Sequence, residues 1–302
     1  MATDDLKRAI THHRAGRLED AAACYEAALA DEDALAPELR SRGFAGLAAL
    51  RLAQGRLEDA GRAGEAALED WPDNAEAFNV LGVALMELGR PAEAVEHLSR
   101  ALDLVSGPGL AGIHNNLGAA LLDLGRFQQA ADHVSRALEL DPTMAEAENN
   151  LGRVLLGIGR YPEAAEKFRK AAALNPDLAT AHANLGSLLL RDGRLDEAEA
   201  ALGRALELNP RMVEAINNMG NLQVRTRRLD EGLALYRRAL EIRPGYADAG
   251  SNLIFALDFH PAVGNEELFA ERKRWNEANA APLRYERRDH TNDPNPRKGA
   301  CG

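Results

Sequence analysis

The chain has 302 residues and a formal net charge of −11 at pH 7, with 46% hydrophobic but only 5% aromatic residues. The acidic balance disfavours nucleic acids and anionic membrane surfaces as partners, because both are bound through basic patches. No apolar run approaches the roughly 18 residues of a membrane span and the first residues are too charged for a secretory signal, so we expect a cytoplasmic protein that binds neither nucleic acid nor membrane.

A pattern with a spacing of about 34 residues recurs along the chain. Gly-Arg pairs begin at Gly16, Gly55, Gly89, Gly125, Gly159 and Gly193, and Arg227 continues the register. Leu-Gly or Met-Gly pairs precede the last five of these turns, alanine dominates two further columns, and most units close with proline. The glycine of Gly-Arg suits the left-handed residue that ends a helix, and proline cannot continue a helix. The pattern therefore predicts two helices in each unit.

This two-helix unit resembles the tetratricopeptide repeat (TPR). We assign units to 2–35 (degenerate), 41–74, 75–108, 111–144, 145–178, 179–212 and 213–246. The resemblance implies an all-α fold, a right-handed α-solenoid of about seven and a half repeats over 1–260 with a C-terminal capping helix. The extra residues around Ala36-Pro37 and in Gly107-Pro108-Gly109 are expected to lengthen surface loops.

A column of asparagines stands just before the Leu-Gly pairs and forms what we call the stripe: Asn116, Asn150, Asn184, Asn218 and Asn252. A second set, the doublet asparagines, lies one position earlier in its repeat: Asn79, Asn115, Asn149 and Asn217. Equivalent positions of stacked repeats form a line, and in TPR proteins the first helix of each repeat faces the concave groove. An amide offers both a donor and an acceptor, so both sets are candidate contacts to the backbone of an extended peptide.

An alternative for these asparagines stays open, because each amide can instead bond only a neighbouring helix. Val80 interrupts the stripe, which puts a peptide contact at that level in doubt. The positions that carry lysine in TPR clamps for a C-terminal carboxylate hold no lysine here, which disfavours that ligand. Arg153, Arg191 and Arg225 add positive charge to the first helices and would attract an acidic partner.

The end of the chain departs from the repeat. We expect a capping helix within 261–281, started by Asn265 as its N-cap and sealed onto the last repeat by Leu268, Phe269 and Trp275. The polar, proline-containing stretch 282–302 is expected to be a linker or disordered tail.

Three segments near the end, SNLIFALDFHP, ELFAERKRWNE and HTNDPNP, resemble the junction in bacterial relatives of the O-linked N-acetylglucosamine transferases, the Spindly-like group. In that family a TPR superhelix recruits the substrate polypeptide through an inward asparagine ladder, and a UDP-sugar-dependent catalytic half follows. The resemblance covers only the non-catalytic half. It implies that this chain is the recruiting arm of a protein glycosyltransferase and is no enzyme by itself, whereas its full-length parent would be one.

The histidines are not spaced as metal ligands. His12 and His13 are helical neighbours that point apart, His114 and His182 share a repeat position that packs between helices, and His260 has no evident carboxylate partner in the sequence.

Cys24 and Cys301 also lack disulfide or metal spacing, and nothing assembles a nucleophile, a base and an orienting group. We therefore expect no catalytic residue, no metal and no cofactor. A stand-alone adaptor or scaffold with no link to glycosylation, which could also pair as a homodimer through its convex face, is the alternative to the recruiting arm.

Overall fold

A computed structural model describes residues 1–31, 33–107 and 109–277, which form sixteen α-helices and no strand. The predicted all-α solenoid of paired helices is confirmed. The chain divides into two compact units, with the second beginning at Ala179. Among the described helices, none is both long and apolar enough to cross a lipid bilayer.

The first unit holds ten helices in five hairpins. They are α1 (Ala2–Arg14), α2 (Leu18–Leu29), α3 (Pro37–Ala53), α4 (Leu57–Asp70), α5 (Ala75–Glu87), α6 (Pro91–Leu104), α7 (Leu110–Asp123), α8 (Phe127–Leu140), α9 (Ala145–Gly157) and α10 (Tyr161–Leu174). The second unit holds α11 (Ala179–Arg191), α12 (Leu195–Leu208), α13 (Val213–Arg225), α14 (Leu229–Ile242), α15 (Ala247–Asp258) and α16 (Asn265–Trp275).

The odd-numbered helices up to α15 are the first helices of their repeats. Within each unit, a first helix packs against its own second helix, against the preceding second helix and against the next first helix. Both alanine columns of the second helices are fully buried, as at Ala130 and Ala137. The small residues therefore let the helix backbones approach, as the repeat pattern predicts.

The turn between the two helices of a repeat is made by a left-handed residue. The six glycines of the Gly-Arg pairs have φ between 70° and 81°. In the α7–α8 turn, Arg126 donates its backbone N–H to the Leu121 carbonyl at 2.9 Å, the long bond of a Schellman helix end. Arg227 takes the same conformation with φ 63°, and it is the one described residue other than glycine with a positive φ.

The glycine of each Leu-Gly pair is a contact between helices. A Cβ placed on Gly152 would lie 2.6 Å from Cε1 of Phe168, and one placed on Gly186 would lie 2.7 Å from Cγ of Leu202. Non-bonded carbon atoms do not approach each other so closely, so a side chain at these positions would push the second helix away from the first.

One of the two insertions does not lengthen a loop. Helix α3 begins at Pro37 and has 17 residues, so the extra residues form its first turn. Proline is favourable in the first turn of a helix, and Arg40 in this turn bonds Asp70 at the end of α4, with Nε 2.6 Å from Oδ2. The other insertion does lie in a loop, between α6 and α7, although Pro108 itself is outside the described residues.

The predicted capping segment contains α16, but two details of the prediction are wrong. The N-cap is Gly264, whose extended backbone precedes the helix, and Asn265 is already the first helical residue. Leu268 packs on the core of α14 and α15 and Trp275 contacts Gly250, whereas Phe269 is 70% exposed. Residues 278–281 of this segment and the predicted tail 282–302 lie outside the described residues.

Candidate functional site

The stripe lies on the first helices α7, α9, α11, α13 and α15. Asn150 is buried, and the other four stripe residues are half-buried: Asn116, Asn184, Asn218 and Asn252. Of the doublet set, Asn79 is half-buried and three are buried: Asn115, Asn149 and Asn217. Because successive first helices pack together within each unit, these amides lie close to the equivalent helix of the neighbouring repeat.

Stripe and doublet amides bond each other across repeats. Hydrogen bonds run from a stripe Nδ2 to a doublet Oδ1 in the preceding repeat: they join Asn116 to Asn79 at 3.0 Å, Asn150 to Asn115 at 2.9 Å, and Asn252 to Asn217 at 3.0 Å. These pairs therefore follow the alternative left open by the sequence, in which the asparagines bond a neighbouring helix. It gives Asn79, Asn115 and Asn217 a structural role, and their role as peptide contacts stays a prediction.

The stripe keeps hydrogen-bonding capacity beyond these pairs. Each amide has two N–H donors and a two-lone-pair oxygen, and the Oδ1 atoms of Asn116 and Asn252 have no protein partner in the described part of the chain. Asn218 differs from them, because Ala183 occupies the doublet position one repeat earlier. Within the described residues, the Asn218 side chain makes no hydrogen bond to protein.

An open cavity of about 420 Å³ lies over the first helices of the second unit. Its lining residues are Ser187, Leu190, Arg191, Asn218, Asn221, Val224, Arg225, Tyr236, Asn252, Phe255 and Ala256. Two internal hydrogen bonds join four of them: the Tyr236 hydroxyl donates to Oδ1 of Asn221 at 2.7 Å, and Arg225 donates to the carbonyl oxygen of Leu190. The cavity lining thus combines amides, guanidinium groups and two aromatic rings.

Two phenylalanines stand beside this cavity at the end of α15. Phe255 is 62% exposed and Phe259 is 66% exposed, and their ring centroids are 4.9 Å apart. We call this pair the aromatic ledge. Large aromatic side chains that stay exposed side by side are typical of surfaces that bind a partner. The ledge was not predicted from the sequence, although Phe255 follows the stripe residue Asn252 by three positions and so shares its helix face.

A second set of equivalent polar side chains, His114, Glu148 and His182, lies at one repeat position of the first helices α7, α9 and α11. In the α7–α8 hairpin, Nδ1 of His114 is 3.0 Å from Nδ1 of His133, which confirms the predicted packing of His114, and burial lowers the pKa of both imidazoles. One repeat later, Glu148 is only 2% exposed and pairs with Lys167 at 3.0 Å and Lys170 at 2.5 Å. His182, at the corresponding position of the second unit, is half-buried.

Two further histidines of the described residues have protein partners. His260 approaches Oδ1 of Asp230 with Nε2 at 3.0 Å, so the expectation that it lacks a carboxylate partner is wrong. The two residues are 30 positions apart, a separation that one repeat of the stack brings together. His12 accepts a hydrogen bond from Nε of Arg17 at 2.9 Å.

The described part of the chain contains no cluster of three or more His, Cys, Asp or Glu side chains that could hold a metal ion. Cys24 is buried in the first unit, and Cys301 is outside the described residues.

Three family models, each described as tetratricopeptide repeat, match the chain. One matches residues 115–179 and 183–247, a second matches 73–143, and a third matches 5–27. These ranges fall on the helical hairpins of both units. A search of curated proteins gives no significant match.

Solved structures share the fold. A tetratricopeptide repeat protein from Parabacteroides merdae ATCC 43184 is 15% identical with a TM-score of 0.64, covering 85% of this chain and 98% of that one. The thermophilic TPR protein TTC0263 from Thermus thermophilus is 26% identical with a TM-score of 0.54, covering 61% of this chain and 100% of that one.

A chain of the APC/C hetero-tetramer Cut9-Hcn1 is 17% identical with a TM-score of 0.63 over 80% of this chain, which spans only 52% of that chain's length. At this low identity the likeness concerns the fold alone. The repeat matches, the left-handed turns and these structures agree with one another, and the chain belongs to the tetratricopeptide-repeat family of protein-interaction modules.

Proposed function

We propose that the chain binds an extended polypeptide along its first helices, with stripe amides bonding the peptide backbone. The observation that carries the proposal is the cavity of the second unit, which Asn218 and Asn252 both line and where Asn218 has no internal hydrogen bond within the described residues. A polar side chain that keeps its full hydrogen-bonding capacity within a concave surface is suited to a polar ligand.

The chemistry of the stripe suits a peptide backbone. An extended peptide presents N–H and C=O groups in alternation, and a carboxamide can accept from the first and donate to the second. The hydrogen bonds between asparagine side chains of successive repeats also fix the orientation of Asn116 and Asn252. This restraint lowers the conformational entropy that these side chains lose when a peptide binds. Backbone recognition of this kind tolerates different side chains in the partner.

The test is selection of binders from a random peptide library, followed by fluorescence anisotropy with the selected peptides. Asn218→Ala removes no internal bond, so the fold is retained while about one hydrogen bond to the peptide is lost, which weakens binding by roughly fivefold. Gln128→Ala is the matched control, because it removes an exposed amide from the second helix α8. Equal affinity of all three proteins, or failure to select any peptide, contradicts the proposal.

A narrower proposal is that the groove recruits substrate to a protein glycosyltransferase. It rests on the sequence resemblance of three segments. SNLIFALDFHP and ELFAERKRWNE overlap α15 and α16, which pack together, and HTNDPNP lies outside the described residues. Reading the gene beyond codon 302 tests it: a nucleotide-sugar domain supports it, and a stop codon contradicts it.

The adaptor alternative predicts a different result. A stand-alone scaffold would assemble partners or pair with itself through the second helices, so its complexes would survive Asn218→Ala. Sedimentation equilibrium of the isolated chain decides whether a homodimer forms.

The cytoplasmic location expected from the sequence also stays a prediction.

A further inference from the structure

We propose that the segment bound by the second unit carries an acidic side chain beside an aromatic or large aliphatic one. This inference rests on the proposed peptide-binding function and names the chemistry of the partner. The charge of the cavity is its first support. The chain has 47 acidic and 36 basic residues, yet Arg191 and Arg225 line this cavity and no Asp or Glu is among its lining residues in the described part.

Arg225 supplies the donor site for a carboxylate. Its guanidinium donates to the neutral carbonyl of Leu190, and it makes no ion pair within the described residues. Two other arginines of the same unit are paired with carboxylates, since Arg228 contacts Glu199 at 3.0 Å and Arg243 contacts Glu214 at 2.8 Å. A guanidinium held in place by one N–H keeps further donors in a planar fork that matches a carboxylate.

The aromatic ledge supplies the second element of recognition. One repeat earlier, the positions of Phe255 and Phe259 are occupied by Asn221 and Arg225, so the surface changes from polar and cationic to apolar within one repeat. Burying the ledge under an apolar side chain removes aromatic area from water. An acidic residue bound at Arg225 and an apolar residue bound on the ledge therefore belong to one short stretch of partner chain.

The stripe connects the two subsites. Asn218 is on α13 with Arg225, and Asn252 is on α15 with Phe255, and both amides line the cavity. A peptide that crosses from α13 to α15 places its backbone over these amides while its side chains reach the arginine and the ledge. Charge and apolar area then select the peptide, and the amides hold it irrespective of sequence.

Three labelled peptides in one Gly-Ser background test the inference: one with Glu-Phe, one with Gln-Phe and one with Glu-Ser. We expect the Glu-Phe peptide to bind, and each replacement to weaken binding about tenfold, a size typical of a charge pair or an aromatic anchor. Arg225→Gln should abolish the preference for Glu over Gln, and Phe255→Ser should abolish the preference for Phe over Ser. Raising the salt concentration should weaken the Glu-Phe peptide more than the Gln-Phe peptide.

Matched controls lie in the same unit. Arg211→Gln removes an exposed charge from a turn, and Phe269→Ser removes a phenylalanine that is 70% exposed on α16. Neither should change the two preferences. Absence of Glu-Phe binding, or equal binding of the three peptides, overturns this inference. If library-selected peptides then still lose affinity with Asn218→Ala, the proposed function survives that failure, and if they do not, both fail together.

Discussion

Asn150 on α9 donates its side-chain amide to Oδ1 of Asn115 on α7 at 2.9 Å, and both residues are buried. Asparagine is a poor helix former, so a repeated pair needs a compensating interaction, and this bond between repeats provides it. Asn150→Ala leaves the buried Asn115 oxygen without its donor and should cost about 1–2 kcal/mol of unfolding free energy. Asn218→Ala, at the same repeat position, loses no such bond and should cost clearly less.

Urea denaturation of both variants measures this difference, and a double-mutant cycle with Asn115→Ala isolates the pair. A coupling energy of about 0.5–1.5 kcal/mol is expected. A coupling near zero would mean that water replaces the Asn150–Asn115 bond without loss.

Gly152 and Gly203 should respond to alanine in opposite directions. The added carbon at Gly152 meets the Phe168 ring at 2.6 Å, whereas that at Gly203 on α12 meets no atom within 4 Å. Gly152→Ala should therefore destabilise the fold by roughly 1–3 kcal/mol through overpacking. Gly203→Ala should stabilise it by up to about 1 kcal/mol through helix propensity. Thermal melts measure whether each variant is more or less stable than the original protein. A Gly152→Ala protein as stable as the original would show that the packing of α9 on α10 adapts to the added methyl group.

Arg227 occupies a left-handed position that glycine fills in six other turns. A residue with a Cβ pays about 1–2 kcal/mol for this conformation, partly offset by the greater flexibility that glycine gives the unfolded chain. Arg227→Gly should therefore raise the unfolding free energy by about 0.5–1 kcal/mol. Gly159→Ala, at φ 81°, is the reverse substitution and should lower it. A destabilised Arg227→Gly protein would indicate that the arginine side chain contributes a contact of its own.

Glu148 is buried between two lysines that are themselves more exposed, with side-chain exposures of 32% for Lys167 and 51% for Lys170. Removing the two cations by Lys167→Met and Lys170→Met together leaves an unpaired buried carboxylate, which should cost about 3 kcal/mol. Glu148→Gln should cost less, because the freed lysines reach water. Chemical denaturation compares the two proteins, and the opposite ranking would show that the carboxylate is solvated in the native state.

The His114–His133 pair should make stability dependent on pH. Burial lowers the pKa of both imidazoles in the folded chain, the charges of His133 and Arg136 lower that of His114 further, and Asp132 opposes the effect at His133. The unfolded chain then binds more protons than the folded chain as the pH falls through the ordinary histidine range near about 6.5. The contribution of the two neutral imidazoles to the free energy of unfolding is therefore complete above that pH range, and it is lost as the pH falls below it.

Melting temperatures between about pH 8 and about pH 5 measure this loss. In the double variant His114→Gln and His133→Gln the pH dependence should shrink. An unchanged profile in the double variant would assign the acid sensitivity to other groups.

The sequence predicted what depends on local periodicity. Glycine at positive φ, proline after the second helix and alanine between helices each follow from the conformational limits of a single residue. The helical hairpins were therefore predictable. The first turn of α3 was not, because Pro37 is compatible with a loop as well as with a helix start, and the contact from Arg40 to Asp70 lies 30 residues away.

Contacts between repeats were the part that the sequence left open. The asparagine columns were visible, but bonding from Asn252 to Asn217 depends on the offset between stacked helices, which a sequence period does not specify. The pairing of His260 with Asp230 has the same origin. Phe269 could not be separated from Leu268 by composition, because the rotation of α16 on α15 decides which of the two is covered.

Ala183 interrupts the series of asparagine–asparagine hydrogen bonds between repeats. An asparagine at position 183 on α11 would accept a hydrogen bond from Asn218, but the methyl group of alanine cannot, so the Asn218 amide remains open to solvent. Hydrogen bonds between repeats and hydrogen bonds to a bound peptide use the same side-chain amides, so an amide without an internal bond has more donors and acceptors to offer than its bonded neighbours. Under the proposed function, Ala183 is therefore the residue that leaves the Asn218 amide available to a bound peptide.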